Sequence, residues 1–291
     1  MEIIIGKTAG LCFGVANAAR RAEEEAEKNG KVCYLGELAH NNEIKKDLEK
    51  KGVVFVDDIK DVGATFGHLQ KELIIRTHGV PKELYEEAKE ADIELIDLTC
   101  PKVLKIHKLV EEYKDKGYYI FLIGEAKHPE IMGTISYAGG AASIIENAED
   151  VEDAIGDLEK LGKLDALAIC QTTISMERFD TIINEIKSKL NKKVNLKVIN
   201  TICPTTKLRE EETKRVASEV ELMIIIGGKH SSNTKKLYEI SSKYCKNSIW
   251  IETKAELDLQ HIKRFDRIGI MAGASTPQKS IHEVVEMLRN I

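Results

Sequence analysis

Asp97-Leu98-Thr99-Cys100-Pro101 closes an apolar run that begins at Ile93 and opens a helix-like segment from Lys102 to Lys114. The chain carries the same arrangement twice more. Ile3-Ile4-Ile5 leads through Gly6 to Leu11 into Cys12 and a helical pattern from Val15 to Lys28. Val194 to Ile199 leads through Thr201-Ile202-Cys203-Pro204 into another, from Thr206 to Val220. An apolar run, a polar turn, one cysteine and a helix thus recur around Cys12, Cys100 and Cys203.

The repeat extends beyond the cysteine turn. After each helix comes a strand-like run ending in glycine: Val32 to Gly36, Tyr119 to Gly124 and Leu222 to Gly228. A turn with a histidine follows, at His40, His128 and His230, which stand 28, 28 and 27 residues after the cysteine. A third strand and turn complete each unit: Leu73 to Arg76 before Thr77-His78-Gly79-Val80-Pro81, Ala166 to Cys170 before Gln171-Thr172-Thr173, and Ile268 to Met271 before Ala272-Gly273-Ala274-Ser275-Thr276-Pro277. Runs at Val53 to Val56, Ala142 to Ile145 and Ile249 to Ile251 read as extra strands. Strands alternating with helices of about three turns predict an α/β fold of βαβ units with parallel sheets. Three related units, 1–92 with Cys12, 93–193 with Cys100 and 194–291 with Cys203, would most simply form a trefoil around a common centre. Ligands bind outside the C-terminal strand ends of such sheets, which is where the cysteines and histidines fall.

Composition narrows the classes. The 291 residues are 43% hydrophobic and 31% charged, as in an ordinary soluble protein. A net charge of −5 argues against a nucleic-acid partner, which draws on a basic field. No apolar stretch approaches the ~20 residues of a membrane span, and the N-terminus does not read as a signal peptide. Six scattered cysteines do not make a disulfide framework, so a cytoplasmic protein with reduced thiols is expected.

Pro101 and Pro204 suit the first helical position, which puts Cys100 and Cys203 near the N-cap, where the helix dipole favours a thiolate. Three equivalent thiols without a fourth suit a metal centre with one open position. Zinc with a water fits such a set, and so does an iron–sulfur cluster with one iron left for substrate. Cys33, Cys170 and Cys245 match no repeat position and read as structural thiols. His40, His78 and His128 fall at strand-end turns ahead of helices, placed to donate to phosphate oxygens or to cap. Gly227-Gly228-Lys229-His230-Ser231-Ser232-Asn233 suits an anion nest, with N-capping by Ser232 or Asn233 as the alternative. His68, His107, His261 and His282 read as surface or packing residues. Glu130 is the carboxylate that the pattern puts at an inward edge. The runs Glu23 to Glu25, Lys45-Lys46 and Glu210 to Glu212 read as solvated helix faces.

Taken in order, these motifs are specific. Gly10-Leu11-Cys12-Phe13-Gly14-Val15, Ala39-His40-Asn41, Thr77-His78-Gly79-Val80, Thr99-Cys100-Pro101, His128-Pro129-Glu130, Gln171-Thr172-Thr173, Ile202-Cys203, Ser231-Ser232-Asn233 and Ala272-Gly273-Ala274-Ser275 span nearly the whole chain. Together they resemble the 4-hydroxy-3-methylbut-2-enyl diphosphate reductase family, which acts last in the non-mevalonate (deoxyxylulose) isoprenoid pathway. The resemblance implies a trefoil of α/β units around a [4Fe-4S] cluster, with Cys12, Cys100 and Cys203 on three irons and the fourth left for the substrate oxygen. It assigns His40, His78, His128, Ser231, Ser232, Asn233 and Ser275 to the diphosphate, and Thr172 and Glu130 to proton handling beside the allylic hydroxyl. Thr206 matches a position close to substrate. The implied reaction is a two-electron reductive dehydroxylation that gives isopentenyl and dimethylallyl diphosphates. No flavin or nicotinamide motif is visible, so a ferredoxin or flavodoxin is the implied electron donor.

Two rivals share some of these features. A quinolinate synthase-like dehydratase would keep the three cysteines and the architecture but lack His128-Pro129-Glu130 and the Ser231-Ser232-Asn233 loop. A non-catalytic redox sensor would keep the cysteines and need no anion site.

Overall fold

The computed structural model describes residues 1–38, 42–66 and 71–290 (of 42, 43, 65 and 66, the backbone alone). His40 and His68 lie outside the described residues. The order opens with β1 (Glu2–Ile5), α1 (Phe13–Asn29), β2 (Val32–Leu35), α2 (Asn42–Lys50), β3 (Val53–Val56) and α3 (Asp61–Phe66). Next come β4 (Glu72–Ile75), α4 (Glu83–Glu90), β5 (Glu94–Asp97), α5 (Pro101–Asp115), β6 (Tyr119–Ile123) and α6 (Pro129–Ser136). The middle holds β7 (Ala142–Ile145), α7 (Val151–Lys160), β8 (Asp165–Cys170), α8 (Met176–Lys189), β9 (Asn195–Val198) and α9 (Pro204–Glu219). It closes with β10 (Leu222–Ile226), α10 (Ser232–Tyr244), β11 (Ser248–Ile251), α11 (Leu259–Ile262), β12 (Arg267–Ala272) and α12 (Gln278–Arg289).

The strands make three four-stranded sheets of one plan, in the orders β3-β2-β4-β5, β7-β6-β8-β9 and β11-β10-β12-β1. Every pairing is parallel. The inner strands are unbroken apolar runs such as Tyr119–Ile123 and Leu222–Ile226, buried at every residue. That is the signature of strands covered on both faces. Helices supply the cover: Val151, Ile155, Phe179 and Ile183 pack on one side of the β6–β9 sheet, and Ile106, Val110 and Ile131 on the other. The fourth strand of each sheet, at β1, β5 and β9, is an edge strand with partly exposed residues. Each of these edge strands runs into a cysteine.

The expected boundary at residue 93 falls before β5, which pairs with β4, and that at 194 before β9, which pairs with β8. The strand before Cys100 and the strand before Cys203 therefore each complete a sheet with the strands that precede them. For β1 the partner is β12, in register from Glu2↔Arg267 to Ile5↔Ile270. By its contacts the chain divides into two compact units, Met1–Glu24 with Glu37–Gly52 and Pro204–Ile291, and Glu25–Gly36 with Val53–Cys203. The first contains the β11-β10-β12-β1 sheet and Cys12; the second contains the other two sheets with Cys100 and Cys203. Among the described residues no helix is long and apolar enough to cross a membrane.

Candidate functional site

Parallel pairing dictates how each cysteine is held. Past the end of its edge strand, the chain keeps donating backbone N–H groups to the turn that follows the neighbouring strand. Cys12 donates to the Ala274 carbonyl, Cys100 to that of Thr77 and Cys203 to that of Thr172, each at 2.9 Å. The three turns so engaged carry Ser275, His78 and Thr172 themselves. Each cysteine is half-buried, and none of the six is in a disulfide. Cys100 is the N-cap of α5, with Pro101 in the first turn, and α9 begins at Pro204 directly after Cys203. Cys33, Cys170 and Cys245 are buried, and burial pushes the Cys170 thiol up to about 11.

In the second compact unit, α6 starts at His128-Pro129-Glu130. The His128 Nδ1 caps the helix by accepting the Glu130 N–H at 3.1 Å. A neutral ring that accepts at Nδ1 carries its proton on Nε2, which is then a donor. Capping and anion binding are thus compatible in this one side chain. The His78 ring meets it edge-on, with centroids 5.4 Å apart.

Glu130 is 2% exposed. Its Oε1 accepts the Thr172 N–H at 2.7 Å and its Oε2 the Thr172 hydroxyl at 2.6 Å. Burial pushes the carboxyl up to about 7, against the opposing pull of those two hydrogen bonds. Because the Thr172 carbonyl also receives the Cys203 N–H, carboxyl, threonine and third cysteine form one continuous chain of contacts. Gln171 braces this turn by accepting the Glu125 N–H at 3.0 Å and donating to the Thr173 hydroxyl at 2.8 Å.

In the first compact unit, Ser231 is the N-cap of α10 and accepts the Thr234 N–H at 3.2 Å. The cap is therefore Ser231 and not Ser232 or Asn233. The turn after β12 abuts this loop: Gly273 N–H and the Thr276 hydroxyl both donate to the Ile226 carbonyl, at 2.9 and 3.0 Å. The two segments are so close that a Cβ on Gly227 would meet Thr234 Oγ1 at 2.6 Å and Thr276 Oγ1 at 2.8 Å. Gly227 also has φ +150°, a backbone that suits glycine. The Asn233 amide nitrogen and the Ser275 hydroxyl are buried with no hydrogen-bond partner among the described residues. Buried donors left in that state cost free energy unless a ligand meets them. Thr206 is buried in α9, and His230 is exposed.

His107 on α5 is 3% exposed, stacked on Tyr137 at 4.3 Å, and burial lowers it to about 4. It fills the space beside Gly79, where a Cβ would lie 2.6 Å from its ring, and so serves packing. Among the described residues no three His, Cys, Asp or Glu side chains are grouped as a metal site.

Three like-ordered parallel sheets, each sending one thiol to a helix start beside a polar turn, define a three-sheet α/β protein. This chain belongs to the LytB protein family, whose model matches residues 3–289. It is 42% identical, over all of both chains, to a protein of Clostridioides difficile (strain 630) named 4-hydroxy-3-methylbut-2-enyl diphosphate reductase. A solved structure of (E)-4-hydroxy-3-methyl-but-2-enyl diphosphate reductase, described as the terminal enzyme of the non-mevalonate pathway, is similar over all of both chains, with TM-score 0.72 and 38% identity. The E-1-hydroxy-2-methyl-but-2-enyl-4-diphosphate reductase of Plasmodium falciparum matches with TM-score 0.87 and 29% identity, over 99% of this chain and 88% of that one.

Proposed function

We infer that this chain catalyses the reaction its relatives are named for, the reduction of 4-hydroxy-3-methylbut-2-enyl diphosphate. Two electrons and two protons enter, the hydroxyl leaves as water, and isopentenyl or dimethylallyl diphosphate remains. The observation that carries the reading is the Glu130–Thr172–Cys203 chain of contacts, which links a buried carboxyl poised near neutrality, through Thr172, to the backbone of one of three equivalent cysteines.

The donor set fits an iron–sulfur group, since three half-buried thiols are soft ligands and their backbone amides are already satisfied. In this reading Cys12, Cys100 and Cys203 hold a [4Fe-4S] cluster. When bound, that group would relay the donor's electrons and act as a Lewis acid for loss of the hydroxyl. The protein's part is to bind the diphosphate and deliver protons. His78, the Nε2–H of His128, Ser231, Ser232, Asn233 and Ser275 would take the phosphate oxygens, with His40 as a further donor. Ser231 can accept from Thr234 and still donate its own hydroxyl hydrogen. Protonated Glu130 would pass its proton to Thr172 Oγ1, whose own hydrogen then moves on to the substrate. Thr206 would border the allyl group. A ferredoxin or flavodoxin would supply the electrons in the cytoplasm, where the thiols stay reduced.

The rival dehydratase and redox-sensor readings leave unused the orphaned donors of Asn233 and Ser275 and the buried acid. The direct test is anaerobic reconstitution with iron and sulfide, followed by assay with reduced methyl viologen and 4-hydroxy-3-methylbut-2-enyl diphosphate. Two one-electron viologen equivalents are expected per substrate consumed, with both products formed. A reconstituted protein that leaves the substrate untouched overturns the reading.

A second expectation concerns the anion. A hydrogen bond to a charged group is worth about 1.5–3 kcal/mol, so Ser275→Ala or Asn233→Ala should weaken substrate binding roughly ten- to a hundredfold. Calorimetric titration measures this, and iron content should match the wild type. Unchanged affinity in both variants would move the diphosphate elsewhere.

A further inference from the structure

The turn ahead of each cysteine is braced, but by two different devices. Three residues before Cys100, the Asp97 Oδ1 accepts the Thr99 N–H at 2.9 Å. Three residues before Cys203, the Asn200 Oδ1 accepts the Ile202 N–H, also at 2.9 Å. These are the local Asx turns by which a short carboxylate or amide fixes its own backbone. Each has outside support as well. Tyr85 donates to the other Asp97 oxygen at 2.9 Å, and Thr201 exchanges hydrogen bonds with the Cys170 backbone.

The equivalent position before Cys12 is Ala9, which has no polar side chain. Here helix α9 supplies the brace from 200 residues away in sequence. Arg209 Nε donates to the Thr8 carbonyl at 2.8 Å and Nη2 to the Gly10 carbonyl at 2.7 Å. One turn on, Glu212 accepts both the Thr8 N–H and the Thr8 hydroxyl at 2.7 Å. Residues three apart share a helix face, so the pair grips both polarities of the Thr8–Gly10 backbone at once. Arg209 is 2% exposed. Burial would push the Glu212 carboxyl up, but the Thr8 and neighbouring contacts outweigh it and hold it below its ordinary value. Gly10 has φ +102°, a conformation few other residues adopt, and its carbonyl is one of the two that Arg209 holds.

We propose that Arg209, with Glu212, is a positioning residue for Cys12, replacing in the first repeat the Asx turn that sets Cys100 and Cys203. The proposal rests on the reading of Cys12 as a cluster ligand. A buried guanidinium can span two carbonyls at fixed spacing as a lysine ammonium cannot. The helix that follows the third cysteine thereby also sets the loop of the first.

The test separates this role from a general structural one. Full-length chain without iron is pulsed with iodoacetamide, and alkylation of each of the six cysteines is followed by mass spectrometry. In Arg209→Leu, which keeps bulk but no donors, the Cys12 rate should rise about tenfold or more, as expected for losing hydrogen bonds to a charged donor. Cys100 and Cys203 should keep their wild-type rates. Arg209→Lys should fall between, since it restores one contact. After reconstitution, Arg209→Leu should release iron to a chelator faster than the wild type, and Arg209→Lys should again be intermediate. An unchanged Cys12 rate overturns the proposal. So does a joint rise at all six cysteines, buried Cys33, Cys170 and Cys245 included, because that reports unfolding. Wild type that takes up no iron would sink the cluster reading, while the alkylation pattern still judges the brace.

Discussion

Glu130→Gln protein is expected to take up iron and bind substrate like the wild type, and to turn over about 10²–10⁴-fold more slowly, the usual contribution of a positioned acid. Glutamine suits the site because it copies the protonated acid. Its Oε1 can accept the Thr172 N–H and its Nε2 can donate to Thr172 Oγ1, so neither contact of the pair is left unmet. What it cannot do is give up a proton. Single-turnover reduction of substrate-loaded protein with excess dithionite is the measurement, and C–O cleavage at the wild-type rate would reduce Glu130 to a structural role. The pH dependence adds a sign. With the carboxyl raised to about 7, wild-type turnover should fall as pH climbs through 7, and the residual Gln activity should lack that limb. Stability follows the same titration. A group raised from 4.5 to about 7 stabilises the fold fully below 4.5 and ceases to do so as pH rises through 7. Urea midpoints of metal-free protein at pH 5 and pH 8 should therefore show Glu130→Gln gaining on the wild type at the higher pH.

Cys100→Ser protein should lose nearly all of its iron and sulfide, as should Cys12→Ser and Cys203→Ser. Outer partners of metal ligands alone are worth ~10–100-fold in affinity, and a direct ligand is worth no less. The three cysteines share one backbone latch, at Ala274, Thr77 and Thr172, which Cys33, Cys170 and Cys245 lack. Cys33→Ala and Cys245→Ala, buried and remote in role, should keep the full complement. Iron and sulfide analysis with EPR spectra of the reduced proteins decides it. A full cluster in Cys100→Ser would return the repeat to a purely architectural meaning.

The alternation of strand and helix was legible because it is local: apolar runs, prolines at helix starts and evenly spaced glycines need no partner to be read. The short strands at Val53–Val56 and Ala142–Ile145 were found this way. What could not be read was which strands pair. β5 follows the expected boundary at 93 yet closes the sheet before it, because an edge strand is placed by its neighbour β4 and not by its own pattern. The Ser231 cap missed by one or two positions is the usual uncertainty of helix ends when several residues in a row can cap.

The Glu130–Thr172 contact spans 42 residues; the resemblance assigned both residues to proton handling beside the allylic hydroxyl, but spacing carries no trace of their contact. The Glu210 to Glu212 run read as a solvated face, and Glu212 corrects that reading by holding Thr8. A signal was present, in Ala9 standing where the other repeats have Asp97 and Asn200. It gains meaning only once α9 is seen beside that loop.

The pairing of β1 with β12 sets an order of events during synthesis. Residues 2–5 leave the ribosome long before their partner strand, 267–272. Until then an apolar Ile3-Ile4-Ile5 strand has no ladder to join, and the Cys12 amide has no Ala274 carbonyl to meet. Contacts so distant in sequence form late. Cys100 and Cys203, latched to turns 23 and 31 residues upstream at Thr77 and Thr172, can take their places while the chain is still growing. On the proposed reading, a nascent chain is a two-thiol protein. It becomes a three-thiol protein only when β1 has paired with β12, and iron delivery has to wait for that pairing.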